Sequence, residues 1–149
     1  MRRITIDPGV NGTGYAIWDK RWKLISYGII RGKSKNWEKR MVEISKRLKT
    51  LVGKCRVTTG YIEKPKKFQG VFGGMVADRG DLVKLSMFVG FCSGFLMIPM
   101  ETVEVIKWKG QLPKDIVEKR VKKLLPEAED AKSHAIDAIG IGLYLSGRF

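Results

Sequence analysis

Apolar and polar residues alternate through Ile4 and Ile6 and then meet Asp7-Pro8-Gly9, which no regular strand or helix crosses. A second strand-like run follows in Tyr15, Ile17 and Trp18, so the pattern predicts a hairpin with a carboxylate ending its first buried strand. Asp19-Lys20-Arg21 makes a turn, and residues 23–32 alternate through Leu24, Tyr27 and Ile29 as a third strand. Asn36 is placed to cap a helix whose apolar positions are Trp37, Met41, Ile44, Leu48 and Leu51. These steps of four and three residues describe one face, the opposite face is rich in lysine and arginine, and Gly53 is expected to end the helix.

Residues 57–63 read as a fourth strand ending in Tyr61-Ile62-Glu63. Nothing periodic appears from residue 64 to 80, and a loop of that length in a compact domain is functional or disordered. An apolar helix is predicted over 81–97, a fifth strand over 102–106 and a loop over 108–111. Pro113 opens a helix through Ile116, Val117, Arg120, Val121 and Leu124. After Pro126 and an acidic turn, Ser133 is expected to cap a final helix that ends near Ser146-Gly147. With no internal repeat, low-complexity tract or linker, residues 1–149 are read as one α/β domain. Its expected core is a mixed five-stranded sheet, three antiparallel N-terminal strands and two further strands, flanked by helices.

Composition alters this picture at one point. Hydrophobic content of 44% and charged content of 30% are ordinary, but 29 basic against 15 acidic residues give a net charge of +14. An excess of that size on a small domain is the electrostatic footprint of a polyanion binder, with nucleic acid ahead of an anionic membrane. Two cysteines, Cys55 and Cys92, imply no disulfide framework. The apolar run 82–100 contains Lys84, Ser86, Ser93 and two glycines, and Pro99 closes it. Spanning a bilayer takes about 20 predominantly apolar residues, so a buried helix fits better. No leader segment is evident, and the expectation is a soluble cytoplasmic protein without a membrane role.

Three segments carry acidic or imidazole groups where a sheet can bring them together. Asp7 ends the first strand, Glu63 ends the fourth, and His134 and Asp137 lie three apart on one face of the last helix. That helix is otherwise apolar, so Asp137 is desolvated unless it is paired, binds a metal or faces water. Each group also has a plainer role: Asp7 serving turn amides, Asp137 on a wet helix face, His134 as a satisfied first-turn histidine.

The motifs Ile-Asp-Pro-Gly-x-x-x-x-Gly-Tyr at the start, Ile-Glu at residues 62–63 and His-x-x-Asp-Ala at residues 134–138 together resemble the RuvC-type Holliday-junction resolvases of the ribonuclease-H-like superfamily. Trp108-Lys109-Gly110-Gln111-Leu112-Pro113-Lys114 is similar to the compact, phage-type branch, and the resemblance runs from Arg3 to about Leu145. It implies a ribonuclease-H-like fold and a metal-dependent, structure-selective DNA endonuclease that resolves four-way junctions by paired nicks. It implies also that Asp7, Glu63, His134 and Asp137 form a catalytic metal site. The chemistry agrees: two divalent ions about 3.5–4 Å apart serve both attacking and leaving oxygens, and hard Mg²⁺ takes carboxylate oxygens. The His134 nitrogen suits Mn²⁺, which is expected to support activity too, although His134 can equally orient or deprotonate the water.

Lys64, Lys66 and Lys67 follow Glu63 directly, and Lys107, Lys109 and Lys114 precede a helix carrying Lys119, Lys122 and Lys123. Lys122 and Lys123 read as a solvated face, whereas Lys109 and Lys114 resemble the family's basic residues near the scissile phosphate. Phe68 and Phe72 sit in the glycine-rich loop, to stack on an unpaired base or to anchor the loop. The 81–97 helix spreads Leu82, Leu85, Phe88, Val89, Cys92, Phe95 and Leu96 around it, with Ser86, Gly90 and Gly94 spaced by four. Resolvases of this type are dimers, so the resemblance implies a homodimer through this helix, the alternative being close packing on the protein's own sheet. Two rivals stand beside the resolvase: a less selective branched-DNA or RNA nuclease, and a non-catalytic basic nucleic-acid-binding module.

Overall fold

The computed structural model describes residues 1–65 and 79–149. Strands β1 (Arg2–Asp7), β2 (Thr13–Trp18) and β3 (Leu24–Ile30) form an antiparallel meander. Helix α1 (Trp37–Lys54) then carries the chain to β4 (Val57–Lys64), which pairs parallel to β1. Such a pairing needs a crossover element, and α1 supplies it. α2 (Arg79–Phe95) leads to β5 (Met100–Glu104), parallel to β4, so the sheet order is β3-β2-β1-β4-β5 with β1 at its centre. A short α3 (Val105–Trp108), α4 (Lys114–Leu124), a 3₁₀ turn at Pro126–Ala128 and α5 (His134–Leu145) complete the fold. The mixed five-stranded α/β sheet flanked by helices is the architecture expected from the sequence pattern.

The two sheet faces follow from strand alternation. Ile4, Ile6, Ile17 and Ile62 point one way and pack with Met41, Ile44 and Leu48 of α1 and Phe88, Val89 and Cys92 of α2. Ala16, Trp18 and Val103 point the other way, onto Val117 and Val121 of α4 and Ile136, Ile139, Ile141 and Leu143 of α5. Thr5 and Asp7 share this second face. α5 is apolar enough to lie flat on the sheet, and four of its five large aliphatic side chains, Ile136, Ile139, Ile141 and Leu143, are buried. Each contributes roughly 1.5–3 kcal/mol in transfer terms, which outweighs the loss of one polar contact with water.

Two devices seat α5. At Gly14, which pairs with Asp7, an added Cβ would fall inside the backbone of His134, so only glycine admits the helix there. The Thr5 hydroxyl accepts from Trp18 Nε1 at 2.9 Å and donates to the Ala138 carbonyl at 2.7 Å, joining β1, β2 and α5 through one buried oxygen.

Several boundaries differ from the sequence expectation. Gly53 lies inside α1, which continues to Lys54, and Arg56 at φ 50 makes the reversal instead. Asn36 does cap α1, accepting from the Lys39 amide at 2.8 Å. The fifth strand is Met100–Glu104 rather than 102–106, and Val105–Trp108 turn at once into α3 instead of extending the strand and opening a loop. Two β-branched residues at 105 and 106 favour a strand locally, but burying Val105 and Trp108 against the sheet decides the outcome. Ser133 precedes α5 at the cap position, yet φ 45 turns its side chain away and it makes no capping hydrogen bond.

Thr5→Val keeps the shape and removes the bridge. It leaves Trp18 Nε1 unpaired in the core and removes the second donor from the Ala138 carbonyl, which keeps its helical bond; the loss costs about 1–3 kcal/mol. Chemical denaturation should show that loss with an unchanged m-value, whereas the exposed Thr50→Val control stays within about 0.5 kcal/mol.

Candidate active site

Asp7 ends β1, and Glu63 stands next to last in the adjacent parallel β4, which runs one residue past the expected end to Lys64; each lies one register step beyond the paired Ile6 and Ile62. Both side chains face α5, because Ile6 and Ile62 take the opposite face. The turn after Asp7 does not use the carboxylate: the Thr13 hydroxyl accepts from the Gly9 amide at 3.3 Å and donates to the Gly9 carbonyl at 2.9 Å. Asp7 instead meets His134 Nδ1 at 2.5 Å, with the Asp7 side chain 7% exposed and that of His134 42%. The plainer role for Asp7, serving turn amides, therefore falls to Thr13.

Glu63 Oε2 accepts from Trp108 Nε1 at 2.8 Å, and Asp137 Oδ2 lies 3.3 Å from Lys109 Nζ. Asp137 is 15% exposed, so the wet-helix-face role does not describe it. Burial pushes the Asp7 carboxyl up, more than its hydrogen bond from His134 draws it down, and Asp137 adds to the rise. Burial and the charge of Asp7 push Glu63 up from 4.5 to about 7. The His134 imidazole is raised, first by its bond to Asp7 and then by the charges of Asp7 and Asp137. Three carboxylates thus repel one another in a partly dry cleft, and Lys109 and His134 supply the nearby positive charge.

Among the described residues, no three His, Cys, Asp or Glu side chains are drawn together tightly enough to hold one ion as they stand. The donor set nevertheless fits a hard divalent cation: buried carboxylates, mutually repelling, with an imidazole at the rim. An ion placed among them relieves the repulsion that raises Asp7 and Glu63.

The basic candidates separate. Lys109 stands inside the cluster, and Lys114 Nζ at its margin lies 3.4 Å from Ser133 Oγ. Lys107 is exposed, and Lys64, exposed next to Glu63, leaves by the opposite sheet face. Lys122 is tied to Glu118 at 2.9 Å, as suits a solvated helix face. Lys66, Lys67, Phe68 and Phe72 lie outside the described residues. Sequence reasoning missed Trp108, placed in a loop and given no role. The available signal was chemical, since a buried tryptophan needs an acceptor for its N–H. It missed also a cleft between β3 and α1 lined by Arg31, Lys33, Lys46 and Arg47, whose one carboxylate, Glu43, accepts from the Lys33 and Ser34 amides.

A mixed sheet in the order β3-β2-β1-β4-β5 with helices on both faces is a ribonuclease-H-like fold, and here it carries two carboxylates on its adjacent parallel strands and a third on the helix laid across them. The family model described as crossover junction endodeoxyribonuclease RuvC matches residues 4–144, and the chain belongs to that family. A crossover junction endodeoxyribonuclease RuvC from Aliarcobacter butzleri is 28% identical over 148 residues, covering 96% of each chain. The Thermus thermophilus RuvC structure superposes with a TM-score of 0.71 at 18% identity, covering 97% of this chain and 92% of that one. The yeast mitochondrial Holliday junction resolvase Ydc2 gives 0.62 at 14% identity, covering 98% of this chain and 76% of the other.

Glu63 makes stability depend on pH in a direction opposite to an ordinary salt-bridged acid. Its folded pKa lies above its unfolded value, so its contribution is neutral below about 4.5 and becomes a growing penalty as pH rises to about 7. Glu63→Gln keeps an acceptor for Trp108 and removes the charge. In chelator, urea denaturation should find the variant about 1–3 kcal/mol more stable at pH 8 and no more stable at pH 4.

Proposed function

We propose that this chain is a divalent-metal-dependent endonuclease that resolves four-way DNA junctions, with Asp7, Glu63, His134 and Asp137 as its metal site. The carrying observation is the meeting of three carboxylates from β1, β4 and α5 in a half-buried cleft of a strongly basic protein. A structural role does not account for it, since such a cluster weakens the fold and does nothing to attract DNA. Mg²⁺, with Mn²⁺ as an alternative, would bind there as two ions, supplying an activated water and charge for the departing oxyanion. Asp7, on the central strand, is the ligand placed to be shared. His134 holds Asp7 by its Nδ1 and so fixes that carboxylate relative to α5. Lys107, Lys109 and Lys114 are assigned to the DNA backbone, with Lys64 at the end of β4 and Lys66 and Lys67 after it in sequence, and Phe68 to a base. A relative with this fold, Thermus thermophilus RuvC, is known in complex with a Holliday junction substrate. A cytoplasmic location belongs to the same reading. Among the described residues no helix is long and apolar enough to cross a membrane.

Asp7→Asn should reduce cleavage of a synthetic four-way junction by at least about 10³-fold while leaving junction affinity in chelator within about twofold, because affinity rests on the basic surface. Cleavage by the wild-type protein should require Mg²⁺ or Mn²⁺ and should favour the junction over linear duplex and RNA duplex. Normal nicking by the variant, or preference for RNA, would sink this assignment.

The same reading includes a homodimer through α2. Of the apolar residues expected to spread around this helix, Phe88, Val89 and Cys92, with Leu96 just past its end, are buried against the protein's own sheet, which corrects the idea that they reach outward. The outward face is a different set: Val83, Met87, Gly90 and Gly94, with Val83 57% and Met87 52% exposed; the helix ends at Phe95, short of the expected 97, and Met97, 78% exposed, stands just past it. A Cβ at Gly90 or Gly94 meets nothing within 4 Å, so the small-residue stripe is open to another backbone. Gly90→Leu therefore fits the isolated fold, and light scattering should find it monomeric where the native chain is dimeric. Its paired nicking of a junction should fall to single nicks. A native monomer at micromolar concentration, or a dimeric and fully active Gly90→Leu, overturns the dimer.

A further inference from the structure

Trp108 is 2% exposed although it belongs to a helix of only four residues. Its indole crosses α5 at Gly140, where an added Cβ would come within 2.5 Å of the ring, so α5 is recessed to admit it. Phe149 closes the ring's edge at 5.6 Å between centroids. The Lys109 ammonium stands 4.7 Å from the ring centroid and 3.3 Å from Asp137. So bounded, the indole directs Nε1 at Glu63 Oε2, 2.8 Å away. The adjacent pair Trp108-Lys109 thus touches two of the three clustered carboxylates, one by a neutral donor and the other by a charge.

We propose that Trp108 is a positioning residue for Glu63: its N–H holds one carboxylate oxygen of Glu63 on the α5 side, so that the group is oriented toward Asp7 and Asp137 before any cation arrives. This rests on the metal-site reading above. Glutamate has three rotatable side-chain bonds, each with several staggered settings open to it. Fixing it in advance removes that freedom from the cost of binding an ion, as partners behind metal ligands commonly do. A neutral donor also suits the task better than an ammonium or guanidinium, which competes with the incoming cation for the same charge. Lys109 and Trp108 differ in this respect: an ion must displace or outweigh the Lys109 contact, while the Trp108 bond persists with the ion in place.

The test is Trp108→Phe in the full-length protein, which keeps an aromatic filler beside Gly140 and removes the donor. Mn²⁺ binding followed by calorimetry in the absence of DNA should weaken by about 10–100-fold. Junction affinity in chelator should be unchanged. The Mg²⁺ concentration for half-maximal nicking should rise by a similar factor, with much of the rate recovered at saturating metal. Replacement of Trp108 by 3-benzothienylalanine, which preserves the bicyclic shape without an N–H, should reproduce the metal defect with a melting temperature close to native. Unaltered Mn²⁺ affinity in that folded variant overturns the proposal and leaves Trp108 as core packing. Native Mn²⁺ affinity in Asp7→Asn would instead overturn the metal-site reading itself, so the two failures are separable.

Discussion

The close seating of α5 on β1 and β2 is the constraint on which the rest depends. Asp7 lies on one element and His134 and Asp137 on another, and nothing covalent connects them for more than 120 residues. What sets their separation is the missing side chain at Gly14 and the single oxygen of Thr5. The first lets the helix start against the strand opposite Asp7, and the second fixes its register along β1. The aliphatic residues of α5 supply the adhesion, but apolar contact is non-directional and would tolerate a slide of the helix along the sheet. A buried hydrogen bond does not, because a slide leaves its partners unpaired at about 1–3 kcal/mol each. Adhesion and register are thus separate terms, carried by different residues.

The site works against the fold that presents it. Asp7 and Glu63 are each raised by burial before any neighbour is considered; the charge of Asp137 adds to the rise at Asp7, and that of Asp7 to the rise at Glu63. Two local cations moderate the repulsion, and both sit where they can yield: His134 is 42% exposed, and Lys109 reaches Asp137 on a flexible stem. The apolar core on the same sheet face, from Trp18 through Leu143, supplies the stability that this arrangement draws on. A protein that only bound DNA would gain from removing the acids, since three carboxylates repel the phosphate backbone.

Much of this was legible in the sequence, for stated reasons. The hairpin, α1 and α5 are long or strongly patterned, and Asp-Pro-Gly, Asn36 and Pro113 punctuate them by local chemistry. Asp7, Glu63, His134 and Asp137 were picked out by strand and helix periodicity, but on the residues alone their plainer roles stayed open; the resemblance to resolvases joined them, and the parallel pairing that sets β1 beside β4 is a long-range contact that periodicity does not display. The misses are of another kind. Val105-Ile106 obeys strand propensity and becomes helix because tertiary burial of Trp108 outweighs a preference worth under about 1 kcal/mol. The outward residues of α2 could not be told from the inward ones, because a helix apolar on most sides gives no preferred direction. Ser133 has the right identity for a cap and the wrong backbone, which a sequence does not display.

The division between the sheet faces explains why such a helix as α2 can be left uncovered. α4 and α5 fill the face that holds the acids, and α1 with the inner side of α2 fills the other. Nothing among the described residues of this chain then remains to cover Val83, Met87 and Met97. If a second copy covers them, each acidic cleft lies on the α5 side of its own sheet and the joint lies on the α1 and α2 side. Association can then change the spacing of two clefts without disturbing the bonds that build either one. The outward glycines fit that separation of roles: they leave the isolated fold nearly indifferent to side chains at 90 and 94, while any close helix–helix contact is sensitive to them.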